Sequence, residues 1–291
     1  MPLDNTRYDY SAITQRPPFR WPNGERLAVW VCYNVEHFKI DVPATSQTEG
    51  LAHLKPDVIN YAWRDYGMRV GMWRLFEMME RLGIKGSSTL NGEVCIHEKP
   101  VVEEMVRLGW PILGHGMTNS QNLTNLPEDE ERKVIGDTLA IIEQTTGTRP
   151  IGWLGPALAE SYVTPDLLVE AGVKYVCDWV CDDQPFQIKV KSGKLASIPY
   201  TQHINDIGMI LSSKRSDQEF YQMIVDQFDV LYREGATIPR TMAIALHPFL
   251  VGTPHLSKYL EQALAYIAGH GDVWICTGDE IYNWYASEYG G

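Results

Sequence analysis

The first apolar run of the chain, 27–33 (LAVWVCY), is short, rich in β-forming residues and uninterrupted, the pattern of a strand covered on both faces. It ends in the polar stretch Asn34-Val35-Glu36-His37. From 38 to 66 no period is evident, and turn-formers and aromatics (Pro43, Gly50, Tyr61, Trp63, Tyr66) suggest a long insertion suited to a substrate-binding loop. Apolar residues then recur at helical spacing (Met68, Met72, Leu75, Met79, Leu82), and Gly83 closes the helix. Short apolar strands follow at 84–90, 110–113, 150–154, 174–179, 241–246 and 273–276, with helical patterns at 98–108, 128–146, 164–171, 216–234 and 255–269. Such alternation predicts an α/β fold with parallel strands joined by helical crossovers, and seven units suggest closure into a distorted barrel of (β/α)7 type. An open doubly wound sheet is the alternative, but no G-x-G-x-x-G or Walker pattern opens any helix. Residues 1–26, with Pro17, Pro18, Pro22 and Gly24, read as an N-terminal arm, and 27–291 as one domain.

Composition narrows the function classes. A length of 291 residues with 44% hydrophobic content suffices for one substantial core. A formal charge of -12 argues against nucleic acid or an anionic membrane as partner, since both demand clustered Lys and Arg. The start lacks the pattern of a signal peptide and no stretch approaches the roughly 20 apolar residues of a membrane span, which points to the cytoplasm. Cysteines 32, 95, 177, 181 and 276 are odd in number and lack C-x-x-C spacing, so neither a disulfide framework nor a zinc ribbon is indicated. An acidic, apolar-rich surface permits a homo-oligomer, although no heptad pattern specifies one.

In a parallel barrel the carboxyl ends of the strands open on one mouth, so polar residues just after strands are candidates for a single site. These are Glu36 and His37, His115, Asp178 with Asp182 and Asp183, and His247. Glycines on either side of His115 let the backbone turn tightly around one imidazole. Pro248 ends strand pairing directly after His247. For each imidazole the alternative is a buried, hydrogen-bonded structural histidine. For Asp178-Trp179 and Asp182-Asp183 it is a solvated loop with capping aspartates.

The order of these pieces, from Arg26 to about Tyr285, resembles the polysaccharide deacetylase (NodB-homology) family, and within it the branch of allantoinase-like small-amide hydrolases. The family's T-F-D-D-G motif, N-Y-E-E-G in that branch, corresponds here to Asn34-Val35-Glu36-His37-Phe38. The resemblance thus implies that Glu36 is the general base and that His37 stands at the metal-acid position. The H-[ST]-x-x-H motif corresponds to His115-Gly116-Met117-Thr118-Asn119, so Asn119 replaces the second metal histidine. His37, His115 and Asn119 would be the metal set, holding zinc or nothing, because an amide oxygen is a poor third ligand for that ion. The R-x-P motif corresponds to Trp153-Leu154-Gly155-Pro156, without the arginine, and Leu246-His247-Pro248 resembles the strand that carries the acid. Trp153, Pro156, Asp178, Trp179, Asp182, Asp183, Tyr200 and Asn205 would contact substrate.

The resemblance implies hydrolysis of a carbon–nitrogen bond other than a peptide bond, with Glu36 activating water, His247 protonating the leaving nitrogen, and His115, with His37 or a metal, polarising the carbonyl. A small amide, ureide or cyclic amide such as allantoin is the favoured substrate. An N-acetylated oligosaccharide is the alternative, and a non-catalytic binder on the same scaffold is a third possibility.

Overall fold

The computed structural model describes residues 5–40, 42 and 53–289; Pro43 and Gly50 of the anticipated insertion lie outside them. Among the described residues nine strands form one sheet: β1 (Leu27–Val35), β2 (Ser87–Leu90), β3 (Ile112–Gly114), β4 (Gly152–Trp153), β5 (Tyr175–Val176), β6 (Phe186–Ile188), β7 (Leu195–Ser197), β8 (Arg240–Leu246) and β9 (Val273–Cys276). Their order is β6-β7-β5-β4-β3-β2-β1-β8, with β9 also paired to β1. All pairings are parallel except β6 with β7. The sheet curls into a half-barrel of the α/β class. Its two ends approach at a bridge between Asn205 and Ala245 and at a hydrogen bond from Thr241 N–H to Asp183 O. The β6–β7 hairpin was not anticipated, because strands of three residues are too short to establish a period.

The helices are α1 (Val58–Tyr66), α2 (Met72–Leu82), α3 (Val94–His97), α4 (Lys99–Arg107), α5 (Glu128–Thr146), α6 (Thr164–Glu170), α7 (Asp217–Gly235), α8 (Pro248–Val251), α9 (Pro254–Ala268) and α10 (Gly278–Tyr289). The part of the insertion nearest the barrel is therefore not a loop. Asp57 caps α1 by accepting the Asn60 N–H, and a π-helical turn at Gly67–Gly71 runs straight on into α2. Gly71 is required there, because a Cβ would lie 2.3 Å from Pro248 O of α8. That close approach seats the turn against the segment that follows β8.

Strand β1 is buried along its whole length, and its side chains alternate between two cores. Leu27, Val29, Val31, Tyr33 and Val35 face outward into a layer shared with α2, α4, α7 and α9. Ala28, Trp30 and Cys32 face the barrel interior with Tyr175, Cys177, Tyr200, Ala243 and Ala245. A third cluster, with Trp153, Val176 and Leu139, lies outside β4 and β5 beneath α5 and α6. The arm packs over the far side: Trp21 is buried and donates its indole N–H to Arg240 O at 3.0 Å.

Candidate active site

The interior alternation of β1 continues past Cys32 to Asn34 and then to Glu36, whose carboxylate reaches the mouth of the half-barrel. By the same rule Leu113 of β3 leads to His115, and Ala243 and Ala245 of β8 lead to His247. These three residues meet. Glu36 Oε1 lies 3.4 Å from His115 Nε2 and 3.6 Å from His247 Nε2, and accepts a hydrogen bond from Asn119 Nδ2 at 2.6 Å. Glu36 Oε2 is buried and has no partner among the described residues, which leaves a carboxylate oxygen free to take a proton.

Each imidazole is fixed from behind. His115 Nδ1 donates to Leu154 O at 2.5 Å, so Nε2 is the atom presented to Glu36. The flanking glycines serve distinct purposes: a Cβ on Gly114 would lie 2.6 Å from the Trp153 ring, and Gly116 has φ +68°. His247 Nδ1 is hydrogen-bonded to Asp206 Oδ1 at 2.6 Å, and the His247 backbone N–H donates to Asp206 Oδ2 at 2.7 Å. Asp206 is fully buried. Its place in the site comes from its contact with a residue 41 positions away.

The electrostatics follow from this arrangement. Burial pushes Glu36 up, but His247 and His115 beside it outweigh that and hold its carboxyl at about 2. Burial opposes charge on His247, yet Asp206 and Glu36 on either side raise its imidazole to about 10. Near neutral pH the site thus holds an ionised acid beside a protonated imidazole.

A cavity of about 660 Å³ opens over the three residues. Asn34, Tyr200 and Asn205 line it, as do Trp63 and Arg64 of α1 and Phe249 of α8. Arg64 went unnoticed in the sequence because α1 sits in a stretch without clear period. Its guanidinium lies 4.0 Å from the Phe38 ring centroid; burial lowers its pKa, while the charge of Glu36 acts in the opposite sense.

Several anticipated residues lie elsewhere. His37, of the opposite parity to Glu36, faces away from His115 and meets Glu98 and Glu93. Asn119 uses its amide nitrogen on Glu36 and its oxygen to accept from Asn91 Nδ2 at 3.2 Å. The set His37, His115 and Asn119 is therefore not assembled, and these residues do not fit the three-ligand metal site that the family resemblance implied. Trp153 belongs to the outer core, and Pro156 is buried against Gly116. Asp178 accepts the Gly155 N–H at 2.7 Å, and Trp179 donates to Glu160 at 3.1 Å. Asp182 is paired with Arg16 of the arm and Asp183 with Arg240. None of these six lines the cavity over Glu36. Asp182 and Asp183 instead line a larger cleft of about 800 Å³ between the arm and the β7–β8 opening, which contains none of Glu36, His115 or His247, and Tyr200 lines both cavities.

A half-barrel whose mouth holds an ionised carboxylate, a protonated imidazole anchored by a buried aspartate and a second oriented imidazole defines a hydrolase of carbon–nitrogen bonds, of the deacetylase and amidohydrolase class. The polysaccharide deacetylase family model matches residues 60–176. The crystal structure of a probable polysaccharide deacetylase from Pseudomonas aeruginosa PAO1 superposes with a TM-score of 0.87 at 26% identity, covering 98% of this chain and 100% of that one. The crystal structure of PuuE allantoinase gives a TM-score of 0.87 at 25% identity, covering 99% and 100%. A peptidoglycan deacetylase from Helicobacter pylori is 23% identical over 244 residues, 73% of this chain and 82% of that one. Among the described residues no helix is long and apolar enough to cross a membrane.

Proposed function

We propose that the protein hydrolyses a small amide, ureide or cyclic amide, with Glu36 as general base and His247 as general acid. The observation that carries this reading is the single oxygen of Glu36 with both imidazole Nε2 atoms within 3.6 Å, beside a carboxylate oxygen that has no partner. Glu36 takes a proton from water as that water attacks the carbonyl carbon. His247, already protonated, gives its Nε2 proton to the departing nitrogen. The oxyanion develops near Arg64 and the Asn119 amide, donors whose orientation is set before substrate arrives.

A cavity of about 660 Å³ suits a small molecule, and the aromatic rings of Trp63 and Phe249 in its lining favour a compact planar substrate over a long polymer. The fold match to an allantoinase over 99% of the chain supports the same choice. The purified protein is expected to turn over allantoin or a related hydantoin faster than N-acetylated sugar oligomers. Preference for the oligomers would transfer the assignment to carbohydrate deacetylation. Glu36→Gln should lower kcat on the best substrate by about a thousandfold or more while leaving the circular dichroism spectrum unchanged. A fully active Glu36→Gln protein would refute the mechanism.

A further inference from the structure

His37 turns its back on the catalytic cavity and enters a second constellation of ligand-type side chains. Its Nδ1 is hydrogen-bonded to Glu98 Oε1 at 3.1 Å, and its Nε2 faces Glu93 Oε2 at 3.5 Å. The His97 ring stacks on the His37 ring with centroids 4.6 Å apart. Ligand atoms of His37, Glu93 and His97 all lie within 4.8 Å of one another.

The hydrogen-bond roles make this more than a cluster of polar groups. A carboxylate only accepts, so with the ring proton on Nδ1 toward Glu98 the Nε2 atom is left facing a second acceptor, Glu93 Oε2. Two electron-rich atoms so placed require a cation or a further proton between them. Histidine ligands of metals almost always donate their other ring N–H to a carboxylate, the part Glu98 plays here. Around a tetrahedral ion with ligand distances near 2.05 Å, neighbouring donors stand about 3.3 Å apart, close to the observed His37–Glu93 spacing. His97 is exposed, so an ion can arrive from solvent and its fourth position can hold water.

We infer that His37, Glu93 and His97 form a binding site for a borderline divalent cation of the zinc class, oriented by Glu98 and separate from the cavity over Glu36. Two imidazoles and one carboxylate suit such an ion rather than magnesium or calcium, which favour all-oxygen shells. The site clamps the segment after β1 to α3. Lys39, whose Nζ lies 3.3 Å from Glu93 Oε1, competes with the ion for that carboxylate.

The test is equilibrium dialysis of the full chain, stripped with a chelator, against zinc chloride, with cobalt(II) absorption as a second readout. The wild type should take up one zinc per chain with a rise in Tm, because a ligand bound only by the folded state stabilises it. His97→Ala and Glu93→Gln should each weaken binding at least tenfold, and Glu98→Gln by about tenfold, the usual cost of losing an orienting carboxylate. Lys39→Met should tighten it, and His115→Ala should leave it unchanged. His97 is exposed, so the unfolding midpoint of His97→Ala without zinc should match the wild type, which separates lost binding from lost folding. Absence of zinc uptake, or uptake that survives His97→Ala and disappears in His115→Ala, would overturn the proposal. Neither result bears on catalysis by Glu36 and His247.

Discussion

At the scale of the residue, the pairing that matters most is Asp206 with His247. A fully buried aspartate accepting from both the ring and the backbone of one histidine fixes that ring's tautomer and direction, and it is a positioning residue because it does not reach the cavity itself. Its negative charge also keeps His247 protonated: a group raised from 6.5 to about 10 remains an acid below the higher value and loses its proton as pH rises through it. Asp206→Asn should therefore move the alkaline limb of the kcat/KM profile downward by about 1–3 pH units, the size of effect a close opposite charge exerts. An unmoved limb would show that His247 does not supply the proton. Which side chains would meet was readable from a rule the residue types alone do not express. Parity along β1 sends 28, 30, 32, 34 and 36 inward and 35 and 37 outward, and it separates Glu36 from His37, which the family motif had placed together. The same rule puts Trp153 outside the barrel and His115 inside. What parity does not supply is Asp206, since it lies beyond any strand and gains its meaning only when the chain returns at β8.

At the scale of the element, the turns after β4 and β5 share a buried acid pair. Asp178 Oδ2 and Glu160 Oε2 are both buried without a donor among the described residues, and the two carboxyls act on each other's ionisation. Two carboxylates so placed hold one proton between them. Burial raises Asp178; burial and the charge of Asp178 raise Glu160 to about 9. A carboxyl raised on folding gives stability that is complete below its unfolded value near 4.5 and is lost as pH climbs through its folded value. Asp178 also accepts the Gly155 N–H, which anchors the turn holding Ala157 and Leu158 at φ 59° and 55° beside the catalytic cavity. Glu160→Gln cannot ionise, so its stability relative to the wild type should grow between pH 5 and 9, reaching about 1–3 kcal/mol, the cost of an unsatisfied buried polar group. Urea unfolding at pH 5, 7 and 9 reads this directly, and a difference constant across the three would rule out the shared proton. The sequence marked Asp178 as chemically active and aimed it at substrate. Glu160 drew no attention because it lies in an irregular stretch where neither strand nor helix period applies.

At the scale of the whole molecule, two cavities along the half-barrel differ in their lining: Glu36, His115 and His247 lie in the smaller of the two and not in the larger. The alternation of strands and helices was legible because apolar runs of four to nine residues separated by helical periods leave few architectures open. How the curl ends was not, since the β6–β7 hairpin is short and the gap between β7 and β8 is spanned by an arm whose prolines carry no period. The larger cleft lies at that gap. Arg16 crosses it with two charge-assisted hydrogen bonds to Asp182, at 2.7 and 2.6 Å, and a third to Gln184 at 3.2 Å. Asp182, first assigned to substrate, thus serves to hold the arm against the open edge of the sheet. Arg16→Ala should therefore cost about 1.5–3 kcal/mol of unfolding free energy, as charged hydrogen bonds shielded from solvent do, and should lower Tm. Because Glu36, His115 and His247 line the other cavity, kcat and KM on the best small amide should change less than twofold below the new Tm, whereas a residue that binds substrate would raise KM by tenfold or more. A large rise in KM with unchanged Tm would return Asp182 to the substrate site and make the larger cleft the place where the reaction occurs.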